Sequence, residues 1–207
     1  MYKLIFLIAL SCVSTLSAAF PISEGGQKLG AFFDSLDVTE KWLGGQRIEW
    51  LSGKQNNAAH GVFKSHCSAF VASAADRLGI YILRPPAHKQ LLLANAQYTW
   101  LKNQGSEFGW LAITNDIDAQ RIANRGCLVV VVFQNPKQHK PGHIALIRPS
   151  DKSDALLQDE GPQLIQAGRE NYNSIALIHG FRHHIHEAND QTLIYYGHNT
   201  TWCAEVK

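Results

Sequence analysis

Hydrophobic positions along the chain change rhythm near its middle. In the first half they recur every three or four residues, the spacing of a helix face. Leu29, Phe32, Phe33 and Leu36 predict a helix over 26–36. Phe70, Val71, Ala74 and Leu78 predict one that begins at His66 and is stopped by Gly79. Between the two, residues 43–64 are rich in Gly, Asn and Ser and read as loop around Trp50-Leu51. Pro85-Pro86 breaks the chain, after which Leu91, Leu92, Asn95, Tyr98 and Leu101 predict a long helix over 88–102. Asn115 or Asp116 is placed to cap another, running through Ile117, Ile122 and Ala123 to Gly126. From Leu128 onward the pattern is that of strands. Leu128-Val129-Val130-Val131-Val132-Phe133 is continuous and β-branched, as in a strand covered on both faces. Further strands are predicted at 143–148, 163–167, 175–181 and 192–196. Helices first, then strands on short turns, predict an α+β domain with an antiparallel sheet.

A chain of 207 residues fits one such domain. Hydrophobic content of 45% with 17% charged residues sets it apart from disordered chains. A formal net charge of +2 without a basic run gives no reason to expect nucleic acid as a partner. Lys3, the apolar stretch from Leu4 to Val13 and Ser17-Ala18-Ala19 form a signal-peptide pattern over 1–19, with cleavage near Ala19. That stretch is too short to span a bilayer. The mature domain, 20–207, is then expected to be periplasmic or secreted. Cys12 is an alternative lipidation site, although Ala9-Leu10-Ser11 makes a poor lipobox. Cleavage leaves Cys67, Cys127 and Cys203, an odd number that leaves one thiol over in an oxidising compartment. The economical pairing is Cys127 with Cys203, leaving Cys67 free; sequence alone does not establish that the two approach. Asn199-Thr200-Thr201 matches a glycosylation sequon, relevant only in a eukaryotic source.

The candidate chemistry lies in two short segments. In Ser65-His66-Cys67-Ser68-Ala69-Phe70-Val71 a cysteine stands at a helix start, where unpaired N–H groups and the helix dipole favour a thiolate. In Gly142-His143-Ile144-Ala145-Leu146-Ile147 a histidine stands at a strand start, placed to act as its base. With two more blocks, Gly126-Cys127-Leu128-Val129-Val130 and Leu164-Ile165-Gln166-Ala167, the order resembles that of NlpC-type papain-like cysteine peptidases and the related CHAP amidases of bacterial cell walls. The resemblance covers roughly residues 50–197. It implies N-terminal helices packed on a central antiparallel sheet, with Cys67 as nucleophile, His143 as base and Gln166 as the polar residue orienting the imidazole. It implies Trp50, His66 and Ser68 as substrate-binding neighbours, the indole N–H of Trp50 and the backbone N–H of Cys67 being candidate oxyanion donors. No metal or organic cofactor is needed. The substrate would be a peptidoglycan peptide, cut by endopeptidase or amidase action. The protein would be a monomer, with an inhibitory protein or a lid over 91–110 as its restraint. Departures from the pattern are His66 for Asp, Ala69 for Gly and Cys127 for Asp, and residues 85–125 read as a helical insertion.

Other readings remain open at this stage. Cys67 is also readable as a small buried helix residue, His143 as a hydrogen-bonded strand histidine and Gln166 as a plain strand-end residue. His66 points away from Cys67 if both are helical, which suits a supporting role. His179, His183, His184 and His186 invite a zinc reading, though no metal-binding spacing completes it. Two further functions are a secreted effector or toxin acting on a host protein or lipid amide, and a non-catalytic wall-binding module.

Overall fold

The computed structural model describes residues 20–59, 61–137, 139–184 and 193–203, so the signal-peptide segment, His186 and Thr192 lie outside the described residues. The elements are α1 (Glu24–Ser35), α2 (Cys67–Arg77), α3 (Leu93–Asn103), a 3₁₀ turn (Gly105–Phe108), β1 (Leu111–Ile113), α4 (Asp116–Asn124), β2 (Leu128–Phe133), β3 (His143–Ile147), α5 (Asp154–Glu160), β4 (Gln163–Ala167), β5 (Asn171–Ala176), α6 (Leu177–Gly180) and β6 (Leu193–His198). The fold is α+β. Among the described residues six strands form one sheet in the order β1-β6-β2-β3-β4-β5, every neighbouring pair antiparallel.

The all-apolar β2 runs near the middle of this sheet, and alternate side chains point to opposite faces. Leu128, Val130 and Val132 join a core built from α1, α2 and α3, while Val129, Val131 and Phe133 join a second core with Ala119 and Ala123 of α4. The expected layer of N-terminal helices is therefore present, and a second layer lies on the other face. α2 is the most enclosed helix, with every residue from Cys67 to Ala75 buried. Its Ala-rich sequence favours helix and lets it sit close to the sheet. Gly79 ends it with a positive φ of 72°, as the sequence predicts. α1 and α4 start at the caps Ser23 and Asn115, whose side chains accept from the N–H groups of Gly26 and Asp118.

Four expectations need correction. The helix over 88–102 begins only at Leu93, because Leu92 takes a left-handed backbone with φ 59° and residues 88–92 run as a strap. The strand over 175–181 is instead the end of β5 followed by the turn of α6. Leu177 and Phe181, four residues apart, both enter the second core, so their apolar spacing was helical. Residues 85–125 are not helical throughout, since β1 lies between α3 and α4 and pairs with β6 at the sheet edge. Nor is 91–110 a lid. Leu93, Trp100, Leu101 and Trp110 are core residues, and the Trp110 indole donates to the Tyr81 carbonyl at 2.8 Å. A segment buried to that degree opens only by unfolding. Its outer face is in solvent, with Leu91 at 67% and Phe108 at 44% exposed.

The pairing of Cys127 with Cys203 is present, with the two Cα atoms 4.6 Å apart, and Cys67 is a free thiol.

Candidate active site

Cys67 opens α2, and its immediate surroundings are backbone donors and one hydroxyl. Ser65 Oγ accepts from the Cys67 N–H at 3.3 Å and lies 3.4 Å from the Ala167 carbonyl of β4, so it ties the helix start to the sheet. His66 precedes Cys67 as the helix N-cap but contributes no side-chain cap. The thiol is pushed up by burial, an effect opposed by the Ser65 hydroxyl and the backbone N–H groups of Ile144, Ser68 and Cys67 itself. The Ile144 N–H matters for position, because it belongs to the residue following His143. It brings the thiol to the end of β3.

His143 is held by its partners in the hairpin β2–β3, where it pairs with Phe133. A Cβ on Gly142 would collide with the Phe133 carbonyl and with Asn95 Oδ1, so only glycine permits this approach. Asn95 of α3 further clamps the turn before His143, donating to the Lys140 carbonyl at 2.9 Å and accepting from the Asn135 N–H at 3.1 Å. Two residues on, Gln97 donates to the carbonyls of Ser68 and Leu83. One helix thus fixes both the strand of the histidine and the helix of the cysteine.

The His143 ring, 4% exposed, bonds through Nε2 to Gln166 Oε1 at 3.0 Å. Since Oε1 can only accept, Nε2 carries the proton and Nδ1 keeps its lone pair. Phe181 meets the ring edge-on at 4.7 Å, and His184 stacks on it at 5.3 Å. Gln166 sits beside a register shift in the β4–β5 pairing between Leu164 and Gln166, a bulge of the kind that re-aims a side chain. By strand alternation His143 and Gln166 belong to the face of the second core, whereas α2 covers the opposite face. The thiol and the imidazole nonetheless line the same cleft. Among the described residues no hydrogen bond joins them directly.

Burial lowers the His143 pKa to about 4, the bond to Gln166 opposing it. The pair therefore rests as neutral thiol and neutral imidazole. A base with this pKa is unprotonated at neutral pH. The same shift carries a stability signature. An unfolded histidine titrates near ~6.5, so between that value and the folded one the unfolded chain binds the extra proton. The stabilisation is complete above the unfolded pKa and is lost as pH falls toward the folded one, for a total of about 3 kcal/mol. Urea unfolding should show that loss between pH 7.5 and 4, and His143→Gln should flatten the profile by the same amount. An unchanged slope in the variant would rule out this assignment.

Cys67, Ser68, His143 and Gln166 all line one cleft of about 420 Å³, together with Ser65. Two expected substrate contacts are not there. Trp50 packs against the first core and its carbonyl accepts from the Trp42 indole at 2.9 Å. Trp50 is not among the residues that line the cleft. His66 is buried beside the cleft, donating from Nε2 to the Gln46 carbonyl at 3.1 Å and accepting at Nδ1 from Gln90 at 2.6 Å. Desolvation lowers its pKa, opposed by the Gln46 carbonyl. It ties the strap 88–92 to the helix start. His179, His183 and His184 line the cleft, but among the described residues no group of three or more potential ligands is arranged to hold a metal ion.

Sequence reasoning missed Ser65, Asn95 and Gln97 as positioning residues. A serine just ahead of a predicted helix was a usable capping signal for the first. The others are long-range contacts with no local signature. No protein-family model matches the chain, and no curated protein matches it either.

Proposed function

We propose that the chain is an exported cysteine hydrolase of papain-like, NlpC-type fold that cleaves peptide or amide bonds in bacterial peptidoglycan. The observation that carries this reading is the His143–Gln166 bond at 3.0 Å in the cleft that also holds the Cys67 thiol. It leaves Nδ1 as the basic nitrogen beside a nucleophile at a helix start.

In this reading Cys67 Sγ attacks the substrate carbonyl carbon as Nδ1 of His143 takes the thiol proton. The Cys67 N–H, which donates to Ser65 Oγ over a long 3.3 Å, is the backbone donor offered to the developing oxyanion. Collapse breaks the C–N bond, and the imidazolium returns its proton to the leaving amine. Water, deprotonated by His143, then hydrolyses the thioester and restores the thiol. Gln166 holds the tautomer throughout, as a neutral counterpart of the third triad member. The peptidoglycan substrate and the export rest on the sequence resemblance and the signal-peptide pattern.

The test is incubation of the mature protein, 20–207, with purified sacculi, and identification of released muropeptides by mass spectrometry. Products that disappear in Cys67→Ala would support the reading and identify the bond. Absence of products from the wild type would reject the wall substrate.

A further inference from the structure

The cleft walls carry a chemical description of what fills them. Six large hydrophobic side chains are prominently exposed among the described residues, and two of them, Val62 at 59% and Leu91 at 67%, line this cleft. They come from separate segments, the approach to α2 and the strap before α3. Leucine and valine left exposed at a cleft wall offer apolar surface to a ligand.

The charged residues are unevenly used. Arg182 is committed to Glu170 through contacts of 3.1 and 3.2 Å, and Glu170 also accepts from the Tyr172 hydroxyl. Lys64 and Arg169 line the same cleft, and among the described residues neither forms an ion pair. The two are neighbours through the backbone, since a Cβ on Gly44 would strike the Lys64 carbonyl and touch that of Gly168. The Ser65–Ala167 contact holds the same segments together. The cleft that holds the Cys67 thiol is therefore also lined by two cations without an ion-pair partner among the described residues, on adjoining backbone segments, and by the exposed apolar side chains of Val62 and Leu91.

We infer that the cleft binds an acyl substrate in which an aliphatic group, seated against Val62 and Leu91, lies next to a free carboxylate paired with Lys64 and Arg169. The inference rests on the hydrolase reading for the fate of that substrate but not for its binding. Arg169 suits a carboxylate through its fork of donors, and Lys64 adds a point charge. A peptide and an N-acyl amino acid share this chemistry.

Binding is measured on the mature Cys67→Ala protein, so that no turnover is needed. The probes are acetyl-leucyl-glutamate, its fully amidated counterpart and octanoyl-glutamate, titrated by calorimetry or by NMR shifts. The acid should bind about tenfold more tightly than the amide at low salt, with the gap narrowing as ionic strength rises. The gap should vanish in Lys64→Ala/Arg169→Ala, whose amide affinity stays as it was. Leu91→Ser should weaken acid and amide alike. Tighter binding of octanoyl-glutamate would assign the acyl source, and tighter binding of the dipeptide the peptide source. Equal affinity for acid and amide, or a gap retained in the double variant, would overturn the inference. Such a failure leaves the sacculus experiment intact, and a silent sacculus experiment leaves this one intact.

Discussion

Cys67→Ala and His143→Ala should each lower amide cleavage by about 10⁴- to 10⁶-fold, and the double variant should be no slower than the worse single one. The reason is that the two act as a unit. With the thiol pushed up by burial and the imidazole held neutral, neither group is activated alone in the resting cleft. The nucleophile exists only while His143 takes its proton. Gln166→Ala should cost less, about 10- to 100-fold, because it removes orientation and leaves the reacting atoms in place. Gln166→Glu is the more informative change. A carboxylate beside His143 favours the imidazolium, so the acid limb of the pH–rate profile should move up from its wild-type position. Single-turnover measurement of product release across pH reads all five variants. Independent, multiplicative losses for Cys67 and His143 would show that they do not share a proton, and the mechanism would fall.

The second large effect concerns the Cys127–Cys203 bond. It closes a loop with a sequence separation of 76 residues, which holds β2 to β6 and with them His143 and Gln166. Restricting the unfolded chain over such a loop stabilises the fold by about 4 kcal/mol. Beside the β2–β6 ladder itself, the bond has a local ally in the Thr200 hydroxyl, which donates to the Gly126 carbonyl at 2.7 Å. That contact is too weak to replace it. Cys127→Ser/Cys203→Ser should therefore lower the urea unfolding free energy by about 4 kcal/mol, and reductant should do the same to the wild type while leaving the variant unmoved. Equal midpoints with and without reductant would show that the bond does not restrain the fold.

Where side chains repeat along one element, the sequence was readable. The six apolar residues of β2 announced a strand covered on both faces, and Ser23 and Asn115 mark the helix starts they cap. Cys67, His143 and Gln166 could be singled out because each begins or sits within a regular element, and the structure places all three along one cleft. The failures share another cause. Residues 88–92 have helical spacing, yet Gln90 bonds to His66 and Leu92 leaves the helical region, so a contact across 24 positions overrode the local pattern. β5 was missed at its start because Asn171, Tyr172, Asn173 and Ser174 lie at a sheet edge, where no apolar alternation is required. Trp50 was proposed as the nearest aromatic donor upstream of Cys67, but it packs against the first core, where its carbonyl accepts from the Trp42 indole, and it does not line the cleft.

The enclosure of α2 has a consequence for how the molecule loses its structure. Amide protons from Phe70 to Ala75, in a helix buried on all sides, can exchange with solvent only when the entire domain opens. The strap beside them, with Leu91 in water, belongs to the fast-exchanging periphery. Under the proposed function, partial unfolding would reach the Leu91 wall of the cleft before it disturbs Cys67, and a protein damaged in this way would lose selectivity while its cysteine still titrated as native.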